Sequence, residues 1–130
     1  MTAVILILLL LIGWDLGWYL AGVMPLFPWH LKKLLKEKRD QISLIDVRTP
    51  WEYNWFHIKG AANKPELLYD VEALPVKNKE EPVIVICMTG HRSPLVAYRL
   101  KKRGFNRVYN LTWGMLAWKL FGMTNLRNGE

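Results

Sequence analysis

The sequence predicts an α/β domain of three layers, a parallel sheet flanked by helices, preceded by an N-terminal transmembrane helix. Short apolar runs alternate with helical stretches after residue 29, a pattern typical of a parallel sheet covered on both faces. Before that point the chain carries one charge, Asp15. The remaining part, about 100 residues, is enough for one core. We therefore expect an anchor at residues 1–28, a domain at 29–124 and a tail at 125–130.

The N-terminal segment is long and apolar enough to cross a bilayer. A helix over residues 2–24 is about 34 Å long. Its twelve Leu, Ile and Val residues contribute about −6 kcal/mol on the insertion scale, against about +3 kcal/mol for Asp15. A signal peptide would need a basic start and a clear cleavage site, and an interfacial helix would need one charged face. The segment thus favours membrane association through residues 3–24.

The charges after this segment predict the orientation of the anchor. Five cations follow it directly and none precedes it; they are Lys32, Lys33, Lys36, Lys38 and Arg39. The positive-inside rule then predicts a single-pass protein of the cell membrane with its domain on the cytoplasmic side. Gly13 and Gly17 have the spacing of a close helix–helix seam, which is compatible with a weak homo-oligomer through the membrane helix.

The elements of the domain follow in order. A short amphipathic helix is expected at residues 29–39, a buried strand at 43–47 and a helix from 50, with Thr49 as its cap. A second strand is expected at 61–63, a helix and turn at 66–75 and a polar loop at 77–82. A central strand at 83–87 leads to a helix that Ser93 caps, Pro94 opens and Gly104 ends. A strand at 107–111 and a helix at 114–120 complete the pattern.

The only cysteine, Cys87, stands at the most informative point of the chain. An apolar run ends on this thiol, and a short loop with Gly90 leads into the helix start at Ser93. Loop amides in this arrangement form a cradle that stabilises anions and favours the thiolate, the nucleophilic form. A lone cysteine excludes an internal disulfide, a Cys-x-x-Cys pair and a cysteine zinc cluster. The three histidines lack ligand spacing, so neither a metal nor another cofactor is expected.

Four ordered motifs resemble the rhodanese (thiosulfate sulfurtransferase) family. The loop from Cys87 to Arg92 is similar to its Cys-x-x-Gly-x-Arg, and residues 45–53 (Ile-Asp-Val-Arg-Thr-Pro-Trp-Glu-Tyr) are similar to its Asp-x-Arg-x-x-x-Glu-Tyr segment. Residues 57–65 resemble its His-Ile-x-Gly-Ala-x-Asn segment, and residues 104–118 resemble its closing pattern. The resemblance covers about residues 30–122 and implies a rhodanese-like fold. The chain departs from the family at Trp113 and Phe56, where glycine is common.

The resemblance also implies an activity and a site. Cys87 would be the catalytic residue, which carries a persulfide between a small anionic sulfur donor, such as thiosulfate, and a thiol, cyanide or acceptor protein. The rest of the loop would bind substrate: Met88, Thr89, Gly90, His91, Arg92 and Ser93. Arg92 would attract the donor or pair with Glu52, and His91 is expected to face solvent. Four residues would be structural supports: Asp46, Arg48, Glu52 and His57.

Two other function classes remain as alternatives. A non-catalytic rhodanese-like module could dock a partner at the membrane. A phosphatase or arsenate reductase would use a similar cradle, but protein tyrosine phosphatases have Cys-x5-Arg, one residue more than this loop. The net charge of +7 suits anionic lipids and small anions, and nucleic acid is not expected as a partner, because no recognition motif accompanies the charge.

Overall fold

A parallel five-stranded sheet forms the centre of the domain. The computed structural model describes residues 1–70 and 78–121. The strands are β1 (Met24–Leu26), β2 (Ser43–Asp46), β3 (Ala62–Asn63), β4 (Val83–Ile86) and β5 (Val108–Leu111), and their order in the sheet is β1-β5-β4-β2-β3. The helices are α1 (Thr2–Leu20), α2 (Pro28–Lys38), α3 (Pro50–Trp55), α4 (Ser93–Lys102) and α5 (Gly114–Leu120), with 3-10 turns at Arg39–Gln41 and Pro65–Leu68. The predicted α/β class is confirmed.

Two apolar cores lie on opposite faces of the sheet, which gives the three layers. Alternation along β4 sends Val83 and Val85 to the face covered by α4, and Ile84 and Ile86 to the face covered by α2 and α5. All four side chains are fully buried. A strand buried on both faces has to be apolar at every position, which is why this run is uninterrupted.

The first helix ends earlier than the sequence predicts. It stops at Leu20, because Gly22 adopts a left-handed conformation with φ 98°. The backbone amides of Gly22 and Val23 donate hydrogen bonds to the carbonyls of Tyr19 and Trp18 and so end the last turn. Met24–Leu26 form β1, which pairs with β5 and is an outermost strand of the sheet. The sequence does not predict this strand, because Pro25 argues against a strand and is tolerated only in an outermost strand of a sheet.

Two further predictions need comment. Arg92, and not Ser93, occupies the N-cap of α4, and Ser93 is the first residue inside that helix. In the described part of residues 66–75, where a helix and a turn are predicted, the structure has the 3-10 turn at Pro65–Leu68. Residues 71–77, with the rest of that prediction and the start of the polar loop, lie outside the described residues, as does the predicted tail at 125–130.

The helix α1 is the candidate membrane span. Among the described residues it is the helix long and apolar enough to cross a membrane, and none of its residues is buried. Its carboxyl-terminal half contacts the domain, where the ring centroids of Trp18 and Tyr98 lie 5.8 Å apart. Length and composition alone would also fit a signal sequence.

Candidate active site

Cys87 lies at the carboxyl end of β4, under the loop that leads into α4. The amide of Gly90 donates a hydrogen bond to its Sγ at 3.0 Å. Gly90 has φ 83°, a left-handed conformation that lets the loop turn back over the sulfur. The side chain of Cys87 is 0% exposed. The sequence predicts a nest of amides from Met88 to Ser93, and the amide that reaches Sγ in the described loop is that of Gly90.

A buried hydroxyl connects the sulfur to the neighbouring strand. Ser93 Oγ lies 3.3 Å from Cys87 Sγ and also donates to Asn110 Oδ1 on β5. Asn110 Nδ2 in turn donates to the carbonyl of Gly90 at 3.3 Å. Because one hydroxyl proton serves one acceptor at a time, Ser93 can donate to Asn110 when the sulfur is a thiol and to the sulfur when it is a thiolate.

The start of α5 packs closely against the Cys87 loop. The amides of Met115 and Leu116 donate to the carbonyls of Cys87 and Met88, each at 2.8 Å. A Cβ at Gly114 would lie 2.3 Å from the carbonyl oxygen of Cys87, and a Cβ at Gly90 would lie 2.6 Å from the amide nitrogen of Trp113. Both positions therefore require glycine. Trp113 itself has φ 60°, an unusual conformation for a bulky residue.

Arg92 pairs with Glu52 in this structure, one of the two roles expected for it. Its Nη2 lies 3.2 Å from Glu52 Oε2. The carboxylate of Glu52 also accepts hydrogen bonds from the amide and hydroxyl of Thr49, at 3.1 and 2.8 Å. Burial acts to raise the pKa of Glu52, but the bonds from Thr49 and Arg92 outweigh it, so the pKa lies below its usual value. The pair ties the start of α3 to the loop.

His91 is partly buried and does not simply face solvent as expected. Its Nδ1 lies 2.9 Å from Thr89 Oγ1, and its ring centroid lies 6.5 Å from that of Trp14 on α1. Its Nε2 is buried with no hydrogen-bond partner in the described part of the chain. Met88 packs into the core on the side of α2 and α5. Thr89 is exposed at the tip of the loop.

Asp46 and Arg48 form a fully buried ion pair beside the site. Arg48 Nη2 lies 2.8 Å from Asp46 Oδ2, and its Nε lies 3.0 Å from Oδ1. Nη2 also donates to the carbonyl of Phe56 at 2.6 Å. Because Asp46 pairs with Ile86 in the sheet, the ion pair lies next to the end of β4. Neither side chain contacts the sulfur in the hydrogen-bond network of the described residues.

His57 lies farther from the sulfur, at the end of α3. Its Nδ1 is 2.8 Å from the carbonyl of Tyr53, and the two rings stack with centroids 3.8 Å apart. The Tyr53 hydroxyl donates to the carbonyl of Ala61 at 2.6 Å. Burial and the nearby Asp46 carboxylate raise the pKa of Tyr53, against a smaller opposing effect of Arg48. His57 therefore packs against Tyr53, which in turn contacts the segment before β3.

The structure brings Cys87, Gly90 and Ser93 together and adds Asn110 and Gly114, which were not among the predicted site residues. The sequence offers one indication for Asn110, a polar amide within the apolar run of β5. It offers a weaker indication for Gly114, a glycine at a predicted helix start. The need for glycine arises from backbone atoms of Cys87 and Met88, which are distant in sequence, so no local pattern shows it.

A cavity of about 320 Å³ lies between α1 and the residues that support the loop. Its walls are mostly apolar, and they include Asp15 from α1 and Asn110 and Thr112 from the sheet side. The Thr112 hydroxyl is buried without a hydrogen-bond partner in the described residues. The cavity thus meets the site at Asn110.

Comparison with known proteins agrees with this geometry. Residues 28–120 match the rhodanese-like domain family. The chain is 33% identical to thiosulfate sulfurtransferase GlpE of Coxiella burnetii over 99 residues, which cover 76% of this chain and 92% of that protein. It is 35% identical over 80 residues to the putative sulfur carrier protein YrkF of Bacillus subtilis; the match covers 61% of this chain and 42% of the longer YrkF.

A solved structure shows the same fold. The rhodanese-like domain protein from Staphylococcus aureus is 29% identical, with a TM-score of 0.65, and the match covers 74% of this chain and 91% of that one. Family match, sequence identity and fold thus agree over most of residues 28–120. This chain belongs to the rhodanese-like domain family.

Proposed function

We propose that this chain is a membrane-anchored sulfurtransferase that carries sulfane sulfur as a persulfide on Cys87. The observation that carries the proposal is the position of Sγ between the Gly90 amide, at 3.0 Å, and the Ser93 hydroxyl, at 3.3 Å. Both groups can donate to a sulfur anion, and hydrogen bonds to the charged form stabilise it. The relatives named sulfurtransferases support the reaction class.

The reaction has two steps. The Cys87 thiolate attacks the outer sulfur of thiosulfate, a new S–S bond forms, and the old S–S bond breaks as sulfite leaves with its electron pair. A thiolate or cyanide then attacks the outer sulfur of the persulfide and leaves as a new persulfide or as thiocyanate. The second step restores the Cys87 thiolate. Because Cys87 is the only cysteine, the second step needs an external thiol, cyanide or an acceptor protein.

The loop side chains have proposed roles in donor binding. Thr89 is exposed at the rim of the loop beside the partly buried His91, and Arg92 supplies a positive charge that is partly exposed while it pairs with Glu52. Gly90 and Ser93 contact the sulfur, and Met88 anchors the loop in the core. Asp46, Arg48, Glu52 and His57 hold the surrounding backbone in place.

The anchor is also a proposal. Residues 1–28 would hold the domain at residues 29–124 on the membrane, with residues 125–130 as a tail. The cations of α2 follow the anchor directly, which favours the cytoplasmic side. Membranes washed at alkaline pH should retain the full chain and release a variant that lacks residues 2–20. Release of both would contradict the anchor.

Thiocyanate formation tests the catalytic proposal. The full chain in detergent micelles should form thiocyanate from thiosulfate and cyanide, and Cys87→Ser should not. The matched control is Gly17→Ala, which lies outside the Cys87 loop and whose added Cβ meets nothing within 4 Å. Full activity of Cys87→Ser would contradict the proposal.

A non-catalytic docking module is the second candidate, and the burial of Cys87 favours it. A side chain that is 0% exposed cannot meet a donor unless the loop moves. Alkylation distinguishes the two candidates. If the protein is a sulfurtransferase, iodoacetamide should modify Cys87 in the native chain, and prior treatment with thiosulfate should protect Cys87 from modification. A thiol that reacts only after unfolding would identify the docking module.

A further inference from the structure

The contacts of α1 with the domain show that its N-terminal part extends past the carboxyl edge of the sheet, the side at which all the parallel strands end. Going along α1, Trp14 lies at His91, just before α4, and Trp18 lies at Tyr98 inside it. The carbonyl of Gly22 then accepts a hydrogen bond from Lys101 at the end of α4. The two helices therefore run side by side in the same direction. Because α4 begins at the carboxyl edge of the sheet and Ile12 still lines the cavity beside Pro94, residues 2–11 project beyond that edge.

The same edge carries the Cys87 loop. In a parallel sheet all strands end at one edge, and the loop follows β4 there. The free end of α1 and the loop are therefore on the same side of the domain. The basic helix α2 also starts from this edge, since it follows β1 directly.

Four exposed tryptophans lie at this edge. Three of them follow strand ends closely: Trp29 comes three residues after β1, Trp51 five after β2, and Trp113 two after β5. The fourth, Trp14, lies beside His91. All four are exposed, Trp51 to 68%. Four of the chain's seven tryptophans thus share one edge, and tryptophan is the residue most typical of the lipid headgroup layer.

The length of the projecting part limits the distance between this edge and a membrane. Residues 2–11 extend about 15 Å, which matches the half-thickness of a hydrocarbon core, about 15 Å. While α1 keeps its contacts with the domain, it therefore enters the membrane without crossing it, which differs from the single-pass arrangement expected from the sequence. Every residue in this part is exposed. If Leu11 is to enter the hydrocarbon while Trp14 keeps its contact with His91, the carboxyl edge has to lie at the headgroups.

We infer that the carboxyl edge of the sheet, with the Cys87 loop, lies against the lipid headgroups of the membrane that holds α1. The inference rests on the proposed anchor and adds an orientation to it. The loop then opens on the headgroup layer, so the sulfur donor and acceptor have to reach Cys87 along the membrane surface. The opposite edge, where β4 and β5 begin, points away from the lipid.

Depth measurement on the full chain tests this orientation. Two variants in a Cys87→Ser background each carry one new cysteine: Trp51→Cys at the carboxyl edge and Arg107→Cys, an exposed position one residue before β5 at the opposite edge. Each is labelled with a fluorophore and reconstituted into phosphatidylcholine vesicles that contain a lipid with a nitroxide headgroup. A domain of about 100 residues is about 30 Å across, so the two labels differ clearly in depth.

We expect the nitroxide to quench the label at position 51 severalfold more strongly than the label at position 107. Equal quenching, or stronger quenching at 107, in chains that float with the vesicles would overturn the orientation and leave the anchor standing. Failure of the chains to float with the vesicles would overturn the anchor and the orientation together. Sulfur transfer by the wild-type chain is measured separately, so failure of the catalytic proposal is distinguishable from either result.

Discussion

Replacing Gly114 by alanine should disturb the site without touching any reacting group. The added Cβ would lie 2.3 Å from the carbonyl oxygen of Cys87 and 2.7 Å from the carbonyl carbon of Met88, whereas ordinary contacts are about 3.5–4.0 Å. These are backbone atoms, so α5 or the loop has to move by about 1 Å. Overpacking costs about 1–3 kcal/mol, and the left-handed conformation of Gly114, with φ 61°, adds about 1–2 kcal/mol for alanine.

We therefore expect Gly114→Ala to lower the free energy of unfolding by about 3 kcal/mol, out of about 5–15 kcal/mol for a typical domain. Urea unfolding of the full chain in micelles measures this. Sulfur transfer at low urea should also fall, by up to about 100-fold, because displacement of a reacting group by about 1 Å can cost that much.

Gly17→Ala is the matched control, because a Cβ there meets nothing within 4 Å. Its domain should unfold at the same urea concentration as the wild type, with unchanged activity. If Gly114→Ala changed the free energy of unfolding by less than about 0.5 kcal/mol and retained full activity, the contact between α5 and the Cys87 loop described above would be wrong.

Two further predictions concern charged groups. Asp46→Asn leaves the buried Arg48 without its ionic partner and should lower the free energy of unfolding by about 3–5 kcal/mol. Glu66→Gln breaks the exposed 3.8 Å pair with Lys64 and should lower it by less than about 1 kcal/mol in the same urea titration. Equal losses would contradict the burial of the Asp46–Arg48 pair. Because the pKa of Glu52 is lowered in the fold, its stabilisation is complete above the unfolded value of 4.5 and is lost as the pH falls through the folded pKa. The free energy of unfolding should therefore fall more steeply below pH 4.5 in the wild type than in Glu52→Gln, and parallel profiles would show that the contacts of Glu52 with Thr49 and Arg92 contribute nothing.

The parts of the fold that local pattern determines were predictable. The apolar run of β4 and the glycine that ends α4 follow from strand burial and helix capping, and both were placed correctly. The strand β1 was not predicted, because nothing in Met24–Leu26 indicates a strand. Its hydrogen bonds come from β5, more than 80 residues away, and only the tertiary structure reveals them.

The site shows the same division. The Cys87 loop was visible as a motif, and the pairing of Arg92 with Glu52 was among the expected alternatives. The helix cap predicted at Ser93 is wrong: a serine before Pro94 is typical of a cap, but its hydroxyl turns to Cys87 and Asn110 instead. Such a choice depends on which acceptors the fold places nearby.

Trp113 occupies a position where the family commonly has glycine, and its backbone conformation explains the preference. Its φ of 60° is left-handed, a conformation that glycine adopts readily. This chain keeps the conformation with a bulky residue, whose ring lies 6.1 Å from Phe27 and beside the α1 cavity. The left-handed conformation thus holds an exposed indole at the carboxyl edge of the sheet.

Mass spectrometry of the thiosulfate-treated protein tests the central proposal most directly. The account predicts that the wild-type chain gains the mass of one sulfur atom on Cys87, that a thiol reductant removes it, and that Cys87→Ser gains nothing. A wild-type chain whose mass is unchanged, or a gain of equal size in Cys87→Ser, would contradict the account.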